Sequence, residues 1–187
     1  MTSRLTFNPT PLAGLMLVRR NPIADERGLL ERLFCANEFA AEKIRMPIMQ
    51  ANRTVTARKG TVRGMHFQHP PHADAKLICC LAGKVFDVAI DLRRGSPTFL
   101  RWHAEVLSAE NHKSLLIPAG FAHGLQTLED RCELLYFHSA VYAADAEGGI
   151  HPSDPRIGIT WPLPVDEMST RDSSHPALTA DFEGLMP

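Results

Sequence analysis

The chain has 187 residues, of which 44% are hydrophobic and 22% are charged, and its formal net charge is −1. This length and composition are ordinary for a globular protein with one hydrophobic core. The near-neutral charge excludes a generally basic surface for nucleic acid or for an anionic membrane, so an anionic ligand would need locally placed Arg and Lys side chains.

The N-terminal segment carries no targeting signal that we can identify. Its apolar stretch LAGLMLV is too short to span a membrane and is followed by Arg19 and Arg20. The chain has four cysteines: Cys35, Cys79, Cys80 and Cys132. They show no CxxC spacing, and two of them are adjacent in an apolar run. We therefore expect buried thiols in a cytoplasmic protein.

Short apolar segments recur along the chain, separated by turn-rich segments. After LMLV near the N-terminus, CANEFAAEKI favours a helix, with Asn37 as a possible cap near its start. The segments that follow are KLICCLA, KVFDVAIDL, FLRWHAEVL, KSLLIPAG, HGLQTL and CELLYFHSAVY. Strands of this length and spacing predict an all-β sandwich or barrel. The tail after WPLP is turn-rich and could pack across the mouth of a barrel.

One predicted strand, VFDVAIDL, shows strict alternation. Its two faces are Phe86, Val88, Ile90 and Leu92 on one side, and Val85, Asp87, Ala89 and Asp91 on the other. Two acids on a face of otherwise small residues indicate that this face is wet or lines a polar cavity.

The segment RGMHFQHPPHADAK contains three histidines spaced three apart: His66, His69 and His72. Pro70 and Pro71 exclude a helix that would bring them onto one face. Strand alternation instead places His66 on one face with Gln68. The three histidines therefore share no surface in any regular structure.

The same region is similar to a metal-binding cupin motif, G-x5-H-x-H-x(3–4)-E followed by P-x-G-x-x-H. The residues that fit it are Gly60, His66, Pro118, Gly120 and His123. However, Gln68 stands at the second ligand position, and the glutamate position falls on His72 or Ala73. Two secure donors are too few for a divalent metal. We therefore predict a cupin-type jelly-roll barrel with a few short helices and no metal.

Ordered motifs along most of the chain resemble the dTDP-4-dehydrorhamnose 3,5-epimerase family. They are DERG, QAN, RGMHFQHPPHADAKLICCLAGKVFDVAIDLRRGSPTF, LSAEN, IPAGFAHGLQTLED, LLY, DPRIGITWPLP and STRD. The resemblance implies a cofactor-free cupin that acts on a nucleotide-linked 4-keto-6-deoxyhexose and inverts C5, C3 or both through an enolate. It also implies a homodimer in which N-terminal strands contribute to the neighbour's sheet.

The resemblance assigns catalytic roles to four residues. His66 matches the base, and Asp172 in STRD matches the carboxylate that would fix its tautomer. Tyr136 matches the proton donor on the other face, and strand parity allows it to enter the barrel together with Cys132, Leu134 and His138. Lys76 corresponds to a cation near the sugar carbonyl. We further predict that Asp87 orients Lys76 by charge pairing.

Substrate binding is assigned by the same resemblance to Arg27, Gln50, Asn52, Arg63, His123, Glu147 and Arg171, to which we add Asp87 and Tyr142. Arg63 and His66 have opposite strand parity, so the strand must kink if both are to reach one site. Gly64 between them could host a bulge.

The sequence departs from the family pattern near the expected nucleotide site. Val141, next to Tyr142, stands at the position of a base-stacking aromatic residue, and Gly148 and Pro152 replace a common arginine and tryptophan. Phe67 replaces a common tyrosine. These changes leave the identity of the nucleotide open.

Three other functions stay open from the sequence alone. One is a metal-dependent cupin oxygenase or isomerase that uses His66, His69 or His72, and His123. The others are a non-catalytic sugar-nucleotide-binding barrel and a ketoisomerase. In each case we expect one domain over residues 1–187, with N-terminal strands over about 1–55, a barrel core over about 56–145 and a C-terminal segment over 146–187.

Overall fold

Two antiparallel sheets face each other in the computed structural model, which describes residues 3–186. In spatial order, the six-stranded sheet contains β1 (Leu5–Pro9), β2 (Met16–Arg20), β10 (Lys113–Ile117), β7 (Lys76–Ala82), β12 (Cys132–His138) and β5 (Gln50–Thr56). The five-stranded sheet contains β13 (Glu147–Gly149), β6 (Val62–Gln68), β11 (Phe121–Thr127), β8 (Lys84–Asp91) and β9 (Trp102–Ser108). The predicted all-β jelly-roll barrel is confirmed.

The remaining elements are short. A separate hairpin pairs β3 (Ile23–Asp25) with β4 (Gly28–Leu30), and the helices are α1 (Ala36–Ala41), a 3-10 turn (Ala144–Ala146) and α2 (Thr170–Ser173). No helix within residues 3–186 has the length and apolarity needed to cross a membrane. The proposed division into N-terminal strands, core and C-terminal segment stays a prediction.

Apolar side chains form three layers. The core between the sheets includes Leu15, Ile78, Ala89, Leu115, Phe121, Leu125 and Leu134. A second cluster, on the outer face of the five-stranded sheet, includes Val88, Ile90, Leu92, Ile150 and Ile157. A third includes Val18, Phe39, Leu77 and Leu116, so α1 covers the outer face of the six-stranded sheet through Phe39. Burial on both faces of each sheet explains why most strands read as nearly continuous apolar runs.

The alternation predicted for β8 is confirmed, but its acidic face is not wet. Val85 and Ala89 lie in the core between the sheets, while Val88 and Ile90 pack on the outer face. Asp91 is fully buried and accepts hydrogen bonds from Arg93, Ser96 and Thr98. The Asp91 carboxylate is thus satisfied by protein donors, as a buried charge must be.

The cap predicted for α1 is wrong. The helix begins after Cys35, whose side chain makes no capping bond, and Asn37 lies inside the first turn. The first turn is fixed instead by Glu38, which accepts hydrogen bonds from the backbone N–H groups of Arg4 and Leu5. A long-range carboxylate contact to β1 thus replaces the local cap.

Part of the C-terminal segment lies where predicted. Trp161 packs edge-on against Phe86 on the outer face of the five-stranded sheet, whereas Arg171, in the tail after WPLP, lines the opening between the two sheets. The segment then runs beside the start of β6, where the Val62 N–H donates to the carbonyl of Glu167 at 2.9 Å. This route delivers α2 to the middle of β6.

The kink predicted at Gly64 is present. His123 of β11 pairs with His66, and Leu125 pairs with Arg63, so β6 contains one more residue than β11 across this interval. Gly64 takes φ +117°, and a Cβ there would lie 2.6 Å from the Cα of Gly124. The bulge therefore needs a residue without a side chain.

Replacement of Gly64 by Ala should destabilise the fold strongly, by about 3 kcal/mol or more, because it combines a disfavoured φ with a backbone clash. Urea unfolding of both proteins measures the difference. Gly95→Ala is the matched control, since Gly95 also has positive φ (75°) but a Cβ there meets nothing within 4 Å. It should cost only about 1 kcal/mol. Equal losses in the two variants would contradict the steric role of the bulge.

Candidate active site

A cavity of about 270 Å³ opens between the two sheets. Side chains from β5, β7 and β12 form one wall, and side chains from β6 and β11 form the other. Ten of the predicted site residues line it: Gln50, Asn52, Arg63, His66, Lys76, His123, Tyr136, Tyr142, Glu147 and Arg171. Concave sites with a few convergent polar groups are the usual form of small-molecule sites.

His66 and Asp172 form an imidazole–carboxylate pair at the wall made by β6. The Nε2 of His66 lies 2.8 Å from Oδ1 of Asp172. The other carboxylate oxygen, Oδ2, accepts a hydrogen bond of 2.9 Å from the N–H of Gly64. Because an ionised carboxylate only accepts, Nε2 carries the proton, and Nδ1 is left as the nitrogen that can take one up.

Asp172 is held as an anion. Its side chain is only 4% exposed. Burial acts to raise the pKa of this carboxyl, but hydrogen bonds from His66, Gly64 and Ser169 outweigh it and place the pKa well below its usual range. Ser169 caps α2 by accepting from the Asp172 N–H at 3.0 Å, which fixes the carboxylate at the helix start.

Tyr136 enters the cavity from the opposite sheet. It packs against the core between the sheets on the same face as Cys132 and Leu134, so the predicted strand parity is confirmed. Burial, and next the charge of Asp87, raise the pKa of Tyr136 well above its usual value. The phenol therefore keeps its proton at neutral pH and can act as an acid.

The predicted pairing of Lys76 with Asp87 is wrong. Lys76 Nζ lies 3.2 Å from Asp74 Oδ2, and the same oxygen lies 2.7 Å from Nδ1 of His138. Burial acts to raise the pKa of Asp74, but the hydrogen bond from His138 and the charge of Lys76 lower it overall. Asp74 lies two residues before Lys76, so strand alternation would place both side chains on one face. This spacing could have predicted the pair from the sequence.

Asp87 is fully buried and lies behind His123 rather than in the cavity. Its Oδ1 is 2.8 Å from Nε2 of His123, which itself lines the cavity. Asp87 therefore orients a cavity-lining imidazole instead of Lys76. The reason is the strand order: β8 pairs with β11, which carries His123, and not with β7, which carries Lys76.

Two arginines lie near the cavity mouth. Arg171 is half exposed and lies 3.0 Å from Glu147, with its Nε 3.6 Å from Asp172 Oδ1. Arg63 lies on the bulged part of β6 and lines the same cavity as His66. Both guanidinium groups can therefore reach an anionic ligand at the mouth.

The mouth also carries an aromatic side chain. Tyr142 is 56% exposed, its hydroxyl donates to Glu147 at 3.0 Å, and its N–H donates to Gln50 at 3.1 Å. Val141 is exposed beside it, and its carbonyl accepts a hydrogen bond from Gln68. Tyr142 thus offers an aromatic face at the mouth where Val141 cannot.

Arg27 lies outside this cavity. It is on the turn between β3 and β4, its side chain is 83% exposed, and it pairs with Asp25 of the same hairpin. Within one chain the structure therefore does not bring Arg27 to the other predicted site residues.

Two histidines near the site were not predicted to act there. His138 lines the cavity, and its ring stacks with that of Tyr136 at a centroid separation of 6.0 Å. His175 lies 5.6 Å from His66, centroid to centroid. Burial, and next the charge of His66, lower the pKa of His175. Strand alternation in β12 could have predicted that His138 lies on the same face as Tyr136. The segment SSHP contains no local pattern that would place His175 at the site.

The histidines of the alternative metal site do not converge. His69 and His72 follow β6 and are exposed, and His123 pairs with Asp87. Among residues 3–186, the group of three donors that comes together is His66, Asp172 and His175. The arrangement that a metal-dependent cupin would need from His69 or His72 is therefore not supported.

Comparisons with known proteins agree with this geometry. A family model described as dTDP-4-dehydrorhamnose 3,5-epimerase matches residues 9–180. A dTDP-4-dehydrorhamnose 3,5-epimerase from Sinorhizobium fredii is 40% identical over 173 residues, covering 92% of this chain and 89% of that protein.

Solved structures are also similar over nearly their whole length. The epimerase of the same name from Bacillus anthracis, solved with TDP and PPi bound, is 34% identical with a TM-score of 0.90, covering 93% of this chain and 99% of that one. The dTDP-6-deoxy-D-glucose-3,5-epimerase from Legionella pneumophila, in complex with dTDP-4-keto-L-rhamnose, is 33% identical with a TM-score of 0.90, covering 98% and 99%. With the family model spanning most of the sequence, the chain belongs to the dTDP-4-dehydrorhamnose 3,5-epimerase family.

Proposed function

We propose that the protein is an isomerase that epimerises a nucleotide-linked 4-keto-6-deoxyhexose, with dTDP as the nucleotide, in deoxysugar biosynthesis. The observation that carries this proposal is the placement of the His66–Asp172 pair and of Tyr136 on opposite walls of one cavity. Epimerisation needs a base on one face of the sugar and an acid on the other, and these two walls supply them.

The reaction begins with removal of a proton next to the C4 ketone. His66 takes the proton from C5, or from C3, the electrons of the C–H bond form a C=C bond, and the carbonyl electrons move onto O4. Asp172 stabilises the imidazolium that results. Lys76, held by Asp74, is the cation that offsets the charge developing on O4.

Tyr136 completes the inversion. It gives its proton to the opposite face of the enolate carbon, and the carbonyl reforms. Solvent then returns a proton to the phenolate and takes up the proton held by the His66 imidazolium. The phenol is protonated at neutral pH, and it can still protonate the enolate carbon because a C–H bond next to a ketone is a weaker acid than a phenol.

The mouth of the cavity would hold the nucleoside diphosphate. Arg63 and Arg171 are positioned for the phosphates, and Tyr142 offers a face on which the base can stack. The bound ligands of the Bacillus anthracis and Legionella pneumophila structures, TDP and dTDP-4-keto-L-rhamnose, support a thymidine nucleotide here.

Replacing His66 with Asn should abolish exchange of the C5 and C3 hydrogens with solvent, lowering the rate by about 10²–10⁴-fold or more, because the base is lost. Incubation of dTDP-4-keto-6-deoxyglucose in D₂O, followed by NMR, measures exchange at each carbon. His72→Asn is the control, since His72 is exposed outside the cavity and its loss should leave exchange unchanged. Normal exchange in His66→Asn would refute the assignment.

We further propose a cytoplasmic homodimer in which Arg27 acts in the neighbouring subunit's site. Three apolar side chains of the Arg27 hairpin are exposed: Ile23 (45%), Leu29 (59%) and Leu30 (71%). A cluster of this kind is typical of a surface covered by a partner. Docking of this hairpin on a second copy would also explain why Arg27 faces solvent here. The cytoplasmic assignment is supported by the cysteines, which are free thiols.

Subunit mixing tests the role of Arg27. Arg27→Ala and His66→Asn homodimers should each have low kcat/KM, and mixing them should restore activity, because each hybrid contains one site with both native residues. Arg19→Ala, an exposed arginine on β2, is the control and should behave as wild type. If mixing does not restore activity, or if light scattering shows a monomer, then Arg27 does not act across a dimer.

A further inference from the structure

One side of the catalytic pair carries an additional donor that the proposed reaction does not use. His66, Asp172 and His175 each offer one nitrogen or oxygen atom, and these three atoms lie within 4.8 Å of one another. Within the described residues, this is the group of histidine, cysteine and carboxylate side chains that meets this condition. Its composition, two imidazoles and one carboxylate, is a common set for zinc.

Local backbone and packing contacts place His175 beside the pair. His175 follows α2, and its backbone N–H donates a hydrogen bond to the carbonyl of Asp172. Its ring lies directly over Gly149 of β13, and a Cβ at that glycine would collide with the ring. Gly149 pairs with His66 across the two strands, so the same small residue admits His175 next to the base.

The Nε2 atom of His175 is buried and has no hydrogen-bond partner in the structure. Buried polar atoms are almost always paired, because an unpaired one costs about 1–3 kcal/mol. His175 thus has an unpaired ring nitrogen and offers one ring nitrogen within 4.8 Å of the donors of His66 and Asp172, which indicates an ion bound by all three residues.

We propose that His66, Asp172 and His175 bind a divalent transition-metal ion, with Zn²⁺ as the preferred ion, and that binding inhibits the enzyme reversibly. Imidazole nitrogen and carboxylate oxygen favour zinc and its neighbours over Mg²⁺ or Ca²⁺, which take oxygen ligands. The inhibition rests on the proposed role of His66 as the base: a metal bound through Nε2 leaves the imidazole proton on Nδ1, which then cannot take up the substrate proton. The binding itself does not depend on that role.

Metal binding requires the three donors to move. A tetrahedral zinc ion with bonds of about 2.0–2.2 Å places its donors about 3.4 Å apart. The 2.8 Å contact between His66 and Asp172 must open slightly, and His175 must close on them. Solvent can supply the fourth ligand at His66, whose side chain is 27% exposed.

Arg171 opposes metal binding electrostatically. Its Nε lies 3.6 Å from Asp172, and its Nη2 lies 3.4 Å from Nε2 of His66. Glu147 holds the guanidinium to one side at 3.0 Å. Removal of this positive charge should therefore strengthen metal binding, which a purely structural role of His175 does not predict.

Binding of Zn²⁺ and Co²⁺ to the full-length protein tests the proposal directly. Equilibrium dialysis should give one ion per chain for wild type, and Co²⁺ should give the visible absorption of a low-coordinate site. His175→Ala and the shape-conserving His175→Asn should weaken binding at least about tenfold, whereas His72→Ala should not change it. Arg171→Gln should tighten it. Wild-type protein that binds no ion, or His175 variants that bind as well as wild type, would overturn the proposal.

Activity is then measured separately. Solvent exchange of the substrate hydrogens in wild type should slow as Zn²⁺ is added and recover when EDTA is added. The rate of each His175 variant is normalised to its own metal-free rate. These variants should need at least about ten times more Zn²⁺ for the same inhibition. If zinc binds through His175 without slowing exchange, the inhibitory part of the proposal is wrong. If wild type shows no exchange in metal-free buffer, the proposed function fails, but the dialysis result stands.

Discussion

The contact on which the site depends is the one between Asp172 and the bulge of β6. A single carboxylate accepts from the Gly64 N–H with one oxygen and pairs with His66 through the other. It thereby joins the C-terminal segment, the strand irregularity and the base. Two problems are solved here: a regular strand would place Arg63 and His66 on opposite faces, and a bulged strand leaves the Gly64 N–H without a partner in the neighbouring strand. The bulge solves the first problem, and Asp172 solves the second.

The two-sheet architecture explains how one cavity can act on both faces of a sugar. The base and its carboxylate belong to the wall built on β6, and Tyr136 belongs to β12 of the other sheet. Facing sheets lie about 10 Å apart, so side chains from the two walls approach a ring between them from opposite sides. The stereochemistry of the proposed reaction therefore follows from the fold and not from a rearrangement of side chains during the reaction.

Local patterns predicted much of this structure, and contacts between distant segments account for the rest. The strands, the kink at Gly64 and the inward direction of Tyr136 follow from alternation and parity, which depend only on near neighbours. The partner of Lys76 depends on which strands meet, and it was predicted incorrectly. Asn37 was expected to cap α1, but Glu38 reaches β1 instead. The position of His175 depends on Gly149, 26 residues earlier in the sequence.

The most direct test of the central claim is the stereochemical outcome with Tyr136→Phe in D₂O. If His66 and Tyr136 act from opposite walls, the variant should still remove the proton and return deuterium from the His66 side. NMR should then show deuterium at C5 or C3 with the original configuration retained. Inversion at the wild-type rate would contradict the account, because it would require an acid other than Tyr136. Loss of all exchange would contradict it as well, because proton removal would then depend on the tyrosine.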